Sequence, residues 1–380
     1  MVDLTKIQNH KTPFYYYDLE LLRATLRHIT EAAAGRPVTV HYAIKANTNP
    51  VILREVAAFG IGADCVSGAE IEAAISAGFA PESIFFAGVG KTDDEIICGL
   101  NAGIGCFNVE SIEELSVINS LAVAAGKTAT IALRINPDID AHTHYYITTG
   151  LEENKFGIDM RMLDKALDTV EASGALRLIG LHFHIGSQIT TAEPFTVLCQ
   201  RINRIVDHCR NRGADISVIN VGGGMGIDYD DPEGNPIPDF SAFFDVVTNG
   251  IKLSPGQRIH CEPGRAIVAQ CGSLISRVLF VKNGMDRKFI ILDAGMTELI
   301  RPALYQAHHV LKNLTAAPGT GTEKYDVVGP VCETSDTFAV DEILPVTHRG
   351  DIFAILSAGA YGESMASNYN LRHLEPPVFA

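Results

Sequence analysis

The chain has 380 residues, 47% of them hydrophobic, which is enough to bury one large core and a smaller second one and argues against a disordered chain. Its formal net charge is −15, from 30 Lys and Arg against 45 Asp and Glu, spread without long acidic runs. That balance argues against nucleic acid or an anionic membrane as the main partner, so any anion site must be local. The eight cysteines (65, 98, 106, 199, 209, 261, 271 and 332) contain no C-x-x-C pair and read as reduced cytosolic thiols with no zinc site. The N-terminus lacks an apolar leader core, and no apolar stretch reaches membrane-spanning length, so the expectation is a cytoplasmic protein with no membrane partner.

In chain order, Phe14-Tyr-Tyr-Tyr17 reads as a short strand, and Asp18 as the cap of a helix with apolar positions at Leu22, Leu26, Ile29 and Ala33, closed at Gly35. Strands then follow near 38–44, 61–65, 83–87, 104–109, 129–135, 177–185, 216–221 and 258–262, with helical patterns between them. Eight βα units in alternation predict parallel strands with right-handed crossovers, closed as a (β/α)₈ barrel over residues 18–265. A long polar segment, Pro137 to Gly157, carries His142, His144, Tyr145, Tyr146 and Lys155; loops of that length are often functional. After about residue 270 the pattern turns β-rich, at 273–281, 288–292, 325–331 and 351–357, with short helices near 299–310 and 360–367. Residues 266–380, joined by the strand of 1–17, are therefore expected to form a second, mostly β domain.

Polar residues punctuate the barrel strands at their last positions: Lys45, Asp64, Arg134, His182 with His184, Gly222 to Gly224, and Glu262. The carboxyl ends of barrel strands form one face, so these residues converge there. Lys45 ends an apolar run, where burial would lower its pKa and leave a neutral amine able to form a Schiff base; the plainer reading is a lysine snorkelling to solvent. Val221-Gly-Gly-Gly-Met-Gly-Ile227 follows a strand directly and can bring backbone N–H groups against a phosphate, although it lacks the spacing and following helix of a dinucleotide fold. In His260-Cys-Glu-Pro-Gly-Arg265, Gly264 and Arg265 can add donors to a phosphate or carboxylate, while Glu262 can meet the far side of a ligand ring. His182 and His184 lack a convincing third ligand for a metal, and one of them suits stacking on a ring. A lysine amine, a phosphate cradle, a stacking histidine and a carboxylate for a ring nitrogen are the parts needed to hold pyridoxal phosphate.

Seven motifs, in order, carry a resemblance: Tyr42-Ala-Ile-Lys-Ala-Asn47, His182-Phe-His-Ile-Gly-Ser187, Gly222-Gly-Gly-Met-Gly226, Glu262-Pro-Gly-Arg265, Arg301-Pro-Ala-Leu-Tyr305, Cys332-Glu-Thr-Ser-Asp336 and Gly359-Ala-Tyr361. Together they resemble the fold-type III pyridoxal-phosphate decarboxylases, and within them the diaminopimelate decarboxylase family, over nearly the whole chain. The resemblance implies an alanine-racemase-like barrel followed by a β-sandwich or β-barrel domain, and a homodimer with active sites at the interface. It implies Lys45 as the Schiff-base lysine, His184 as the ring-stacking residue and Glu262 as partner of the pyridine nitrogen. Ser187, Gly223, Gly224, Gly264 and Arg265, with the Tyr361 hydroxyl, map to cofactor contacts, and Asp64 to a supporting role beside the lysine. Arg265, Arg301, Tyr305, Tyr361 and Glu333 map to substrate recognition, and Cys332 to a cysteine that crosses the dimer interface to protonate the carbanion. Thr334 stands where the family often has serine, and retains the hydroxyl.

The implied reaction is decarboxylation of meso-2,6-diaminopimelate at its D-centre to give L-lysine and CO₂. Diaminopimelate has a second amino-acid end, which calls for a cation and an anion, and Arg301 with Glu333 supplies them; the plainer alternative is a structural surface ion pair. The competing readings are another decarboxylase of the same fold, acting on ornithine, arginine or carboxynorspermidine, a racemase, which Glu262 disfavours, and a non-enzymatic homologue.

Overall fold

The computed structural model describes residues 4–7, 9–137, 139 and 155–380, so His142, His144, Tyr145 and Tyr146 of the long polar segment lie outside the described residues. The chain divides into two compact units, one of Leu26–Gly226 with Asp239–Gly264, the other of Met1–Thr25, Ile227–Pro238 and Arg265–Ala380. Residues 227–238, which fall inside the barrel span expected from the sequence, group with the second unit.

The first strand of the chain, β1 (Phe14–Tyr17), belongs to the second unit. The first unit is a closed barrel of eight parallel strands: β2 (Val38–Ala43), β3 (Gly62–Cys65), β4 (Ile84–Phe86), β5 (Cys106–Val109), β6 (Ala129–Arg134), β7 (Leu176–His182), β8 (Val218–Asn220) and β9 (Arg258–Cys261). The expected barrel, strand count and order are all present. The strands are short and mostly apolar, and apart from the opening residues of β7 and β9 they are largely buried, as parallel strands covered by helices are.

The connecting helices start where the sequence provides caps. Ser67, Ser111 and Asp239 each accept a hydrogen bond from a backbone N–H in the first helical turn, and Thr92 with Glu95 forms a reciprocal capping box. Inside the barrel, His41 Nε2 and His260 Nδ1 lie 2.9 Å apart, with the Phe85 ring centroid 4.4 Å from that of His41. Gly62 makes room for this filling, since a Cβ there would lie 2.5 Å from His41 Nδ1.

The second unit is a β-sheet assembly. β10 (Gly272–Asn283), β11 (Lys288–Leu292), β12 (Leu311–Asn313), β13 (Thr322–Val328), β14 (Thr337–Pro345) and β15 (Ile352–Ile355) run in the order β12-β15-β10-β11-β13-β14. β1 pairs antiparallel with β10 and parallel with β16 (Glu375–Phe379), as expected for an N-terminal strand that joins the β domain. Its core gathers Ile7, Phe14, Tyr16, Ile275, Ala354 and Leu356. The helix expected over 299–310 is only Arg301–Tyr305, because Gln306 adopts a left-handed conformation, φ 54°, that ends it.

Candidate active site

The carboxyl ends of the barrel strands gather the polar residues. Beyond β2 the chain makes a 3₁₀ turn, Ile44–Ala46, closed by the Tyr42 hydroxyl donating to the Asn47 carbonyl at 3.0 Å. This turn carries Lys45 onto the rim, where it is exposed. The expectation of a buried or half-buried lysine is therefore corrected. Burial does not prepare this amine, and what singles it out is its place at the end of β2.

Glu262, one residue beyond β9, is 5% exposed and closely held. Its Oε2 lies 3.0 Å from His182 Nε2, and its Oε1 accepts from Asn220 Nδ2 at 2.6 Å and Asn108 Nδ2 at 3.4 Å. Burial pushes its carboxyl up, but the His182 imidazole and the Asn220 amide outweigh burial and hold it well below the usual carboxylate range. Asp64, 2% exposed at the end of β3, behaves oppositely: burial, then the Glu262 charge, drives its carboxyl well above the ordinary value. Two buried carboxyls in one barrel are thus pushed apart, one kept ionised and one toward neutrality. Asp64 Oδ1, Asn108 Oδ1 and His182 Nδ1 are buried with no hydrogen-bond partner among the described residues, which marks a polar site shaped for something more than its own side chains.

β7 ends at His182, three residues short of the strand expected over 177–185, so His184 lies beyond it. His184 Nδ1 accepts from the Gly223 N–H at 3.2 Å, which leaves its proton on Nε2, and loss of water with the charges of Arg134 and Lys45 holds its pKa well below the ordinary value. The glycines after β8 are required by close approach. A Cβ at Gly222 would sit 2.2 Å from the Phe183 carbonyl oxygen, and one at Gly223 would sit 2.4 Å from that of Glu262. Gly224 has φ +104°, and Ser187, half-buried, follows on the strand-7 side. Gly264 packs on the lysine turn, where its Cβ would lie 3.0 Å from that of Ala46. Arg134 is engaged elsewhere, since its Nη1 donates to Glu110 Oε1 at 2.6 Å in a buried ion pair, and Glu110 also accepts from the N–H groups of Gly88 and Gly157.

The second unit holds the remaining predicted residues. Arg265 Nη1 donates to the Tyr229 hydroxyl at 2.7 Å, and its guanidinium carbon is 5.0 Å from the centroid of the Tyr361 ring. Arg301 is 5% exposed, 4.9 Å from the Tyr229 ring centroid, and donates through Nη1 to His309 Nε2 at 2.8 Å. Glu333 is exposed and accepts from the Tyr369 hydroxyl at 2.7 Å, while Cys332 is exposed with its N–H donating to Asn370 Oδ1. Among the described residues Arg301 and Glu333 form no ion pair with each other, so the surface-pair alternative is set aside. Tyr305 is half-buried at the end of its short helix. Sequence reading missed Glu110, Asn108, Asn220, Tyr229 and His309. The first three stand at strand ends where a polar residue was a visible signal, whereas the last two have no local pattern.

Among the described residues no group of His, Cys, Asp and Glu could hold a metal ion, and no helix is long and apolar enough to cross a membrane. A closed (β/α)₈ barrel with a lysine on its rim, a glycine cradle, and a buried carboxylate held ionised beside it defines an enzyme that works through a carbonyl cofactor. The family model for the pyridoxal-dependent decarboxylases, pyridoxal binding domain, matches residues 19–269. The diaminopimelate decarboxylase of Bacteroides thetaiotaomicron is 54% identical over 98% of this chain and 96% of its own, and that of Helicobacter pylori strain J99 is 43% identical over 96% and 89%. A crystal structure of the Helicobacter pylori diaminopimelate decarboxylase complexed with L-lysine is 42% identical, with a TM-score of 0.92 over 98% of this chain and 92% of that one. The chain belongs to the diaminopimelate decarboxylase family of pyridoxal-dependent decarboxylases. It is a carboxy-lyase, and its cofactor is pyridoxal 5′-phosphate. The residues present fit that group: an amine, a turn that a Cβ would fill, a flat imidazole and an ionised carboxylate all belong to the barrel unit.

Proposed function

We propose that this enzyme decarboxylates meso-2,6-diaminopimelate at its D-centre to give L-lysine and CO₂, the last step of lysine biosynthesis. The observation that carries the chemistry is the state of Glu262, a buried carboxylate kept ionised by hydrogen bonds. Bound pyridoxal phosphate supplies the sink for the electron pair left behind when CO₂ departs. Lys45 is the amine that anchors its aldehyde. Gly223, Gly224, Ser187, Gly264 and Arg265, with the Tyr361 hydroxyl, would offer donors to its phosphate, as oriented N–H groups do in glycine turns.

Glu262 would hold the ring nitrogen of bound cofactor, and its charge would favour a proton there. The neutral His184 gives the ring a flat face without adding a competing positive charge, and Asp64 stands by the lysine in a supporting role. Arg301 and Arg265 attract the distal carboxylate, Glu333 attracts the distal ammonium, and Tyr305 and Tyr361 border the same end. Cys332 would supply the proton that replaces the departing carboxylate. Glu333 and Cys332 are exposed on their own chain, which supports their serving the site of a second copy in a homodimer. The cysteines are all unpaired, which supports a cytoplasmic, reducing environment.

Assaying CO₂ release from meso-diaminopimelate beside L-lysine, L-ornithine and carboxynorspermidine tests the reading. Diaminopimelate should be strongly preferred, and an enzyme that favours a substrate without the second carboxylate would overturn it.

A further inference from the structure

Four residues from separate segments of the second unit meet in an arrangement that the roles above leave unexplained. The guanidinium carbons of Arg301 and Arg265 lie 4.9 and 5.8 Å from the centroid of the Tyr229 ring. The His309 ring meets Tyr229 edge-on, with centroids 5.2 Å apart and planes at 79°. His309 is 3% exposed and both its nitrogens are engaged, Nδ1 at 2.8 Å from the Leu356 carbonyl oxygen and Nε2 at 2.8 Å from Arg301 Nη1.

The partners dictate the tautomer. A carbonyl oxygen only accepts, so Nδ1 carries the hydrogen; a guanidinium only donates, so Nε2 presents its lone pair. The imidazole is therefore neutral. Burial and then the charges of Arg301 and Arg265 push its pKa down to about 3, so neutrality holds across any working pH. The choice of residue has a consequence for Arg301. A carboxylate in place of the imidazole would hold the guanidinium more strongly, but would also cancel its charge. Among the described residues no carboxylate pairs with Arg301, and its Nε is buried with no hydrogen-bond partner. A buried cation left without a counter-charge is unfavourable until an anion arrives.

We propose that His309 is a positioning residue: it fixes Arg301 through a neutral acceptor, so that the guanidinium keeps its full charge and its remaining donors for the substrate's distal carboxylate. This rests on the reading of Arg301 given above. Specificity for a substrate with two amino-acid ends then depends on a side chain that never touches the substrate. Tyr229 supports the same arrangement, giving Arg301 a ring face and Arg265 a hydroxyl acceptor.

The test compares wild-type holoenzyme with His309→Leu, His309→Gln and His309→Glu. Binding of L-lysine, which keeps the distal carboxylate, is measured by calorimetry beside 1,5-diaminopentane, which lacks it, and KM and kcat are measured for diaminopimelate. Losing a hydrogen bond to a charged group should weaken L-lysine roughly 10- to 100-fold in His309→Leu, with KM for diaminopimelate rising in step, kcat changing less than about threefold, and diaminopentane unaffected. His309→Gln, which restores a neutral acceptor, should recover most of the binding. His309→Glu should bind L-lysine no better than His309→Leu, because the new carboxylate competes with the ligand. Adding His309→Leu to Arg301→Leu should weaken L-lysine no further.

Equal losses for both ligands, a fall in kcat with KM unchanged, or additive losses in the double variant would overturn the proposal. If His309→Leu melts early, the glutamine and glutamate variants decide it: wild-type L-lysine binding by His309→Glu is incompatible with the proposal. A wild-type enzyme that binds the two ligands equally would sink the reading of Arg301 itself. Discrimination by wild type that every His309 variant shares would sink only this inference.

Discussion

In the barrel unit an imidazole meets a buried carboxylate, His182 against Glu262; in the second unit an imidazole meets a buried guanidinium, His309 against Arg301. Both pairs set an imidazole against a charged group that is held out of water, but they are built differently. Glu262 is surrounded by groups from three further strand ends, Asn108, His182 and Asn220, so the barrel's own hydrogen bonding fixes its partners. Arg301, at the start of a short helix, is held by Tyr229 from a loop and His309 from the approach to β12, segments that no shared element joins. On the proposed reading, the barrel cluster serves chemistry common to many substrates, and the second cluster tells one substrate from another.

If that division is right, damage to the barrel cluster should remove turnover of every substrate. The largest effect is expected from Lys45→Ala, which should lose the visible absorption of lysine-bound cofactor and essentially all decarboxylation, with the far-ultraviolet circular dichroism unchanged. Normal turnover by the purified variant would refute the anchoring role. Glu262→Gln keeps size and loses charge. Cofactor content should remain while kcat falls by about two orders of magnitude or more, the scale of a lost electrostatic contact in a desolvated site. An unchanged kcat would remove Glu262 from the ring contact.

The same contrast explains what could be read from the sequence. The barrel and its mouth were legible because period, turn residues and strand ends carry the information locally: Asp64, His182, the glycines after β8 and Glu262 all interrupt apolar runs at their last positions. The exposure of Lys45 was not legible, since it depends on a 3₁₀ turn rather than on the strand. In the second unit, β14 escaped notice because its pairing with β13 is interrupted and Asp341 sits at φ 58°, which breaks the alternation. β16 contains Pro376 and Pro377, which count against a strand in any sequence reading, and β12 is only three residues long. Tyr229 and His309 are separated by 80 positions and share no motif, so only the fold brings their rings together.

Damage to the second cluster should be selective. Arg301→Ala removes one partner of a charge-assisted contact, worth about 2 kcal/mol or more where water is excluded, so kcat/KM for diaminopimelate should fall roughly 30-fold or more. L-ornithine, which lacks the distal carboxylate, should be turned over no worse than by wild type, and the cofactor spectrum should stay as it is. An equal loss for all substrates would make Arg301 structural and erase the contrast between the clusters. A smaller recovery tests the shared site. Lys45→Ala and Glu333→Ala homodimers should each be nearly inactive, and mixing them under subunit exchange should restore activity to about a quarter of wild type, because half the dimers are mixed and each mixed dimer keeps one intact site. With tagged subunits proving exchange, no recovery would place both residues in the site of one chain.

The smallest effect sharpens the comparison inside the barrel, where Asp64 and Glu262 are displaced in opposite directions. Glu262 has a folded-state pKa below its unfolded value, so its contribution to stability is present above the unfolded pKa and is lost as pH falls through the folded one. Asp64 has a folded-state pKa above its unfolded value, so its contribution is present in acid and is lost as pH rises through the folded pKa. Asp64→Asn removes only the second dependence. It should leave the melting midpoint nearly unchanged near pH 4 and raise it progressively toward pH 8. The gain should be a few degrees at most, given roughly 2–4 °C per kcal/mol for domains of 150–250 residues. Thermal melts across that pH range, on protein with and without cofactor, read it directly. An advantage that is the same at every pH would assign it to packing, and one that shrinks as pH rises would mean that Asp64 is ionised and satisfied in the folded protein.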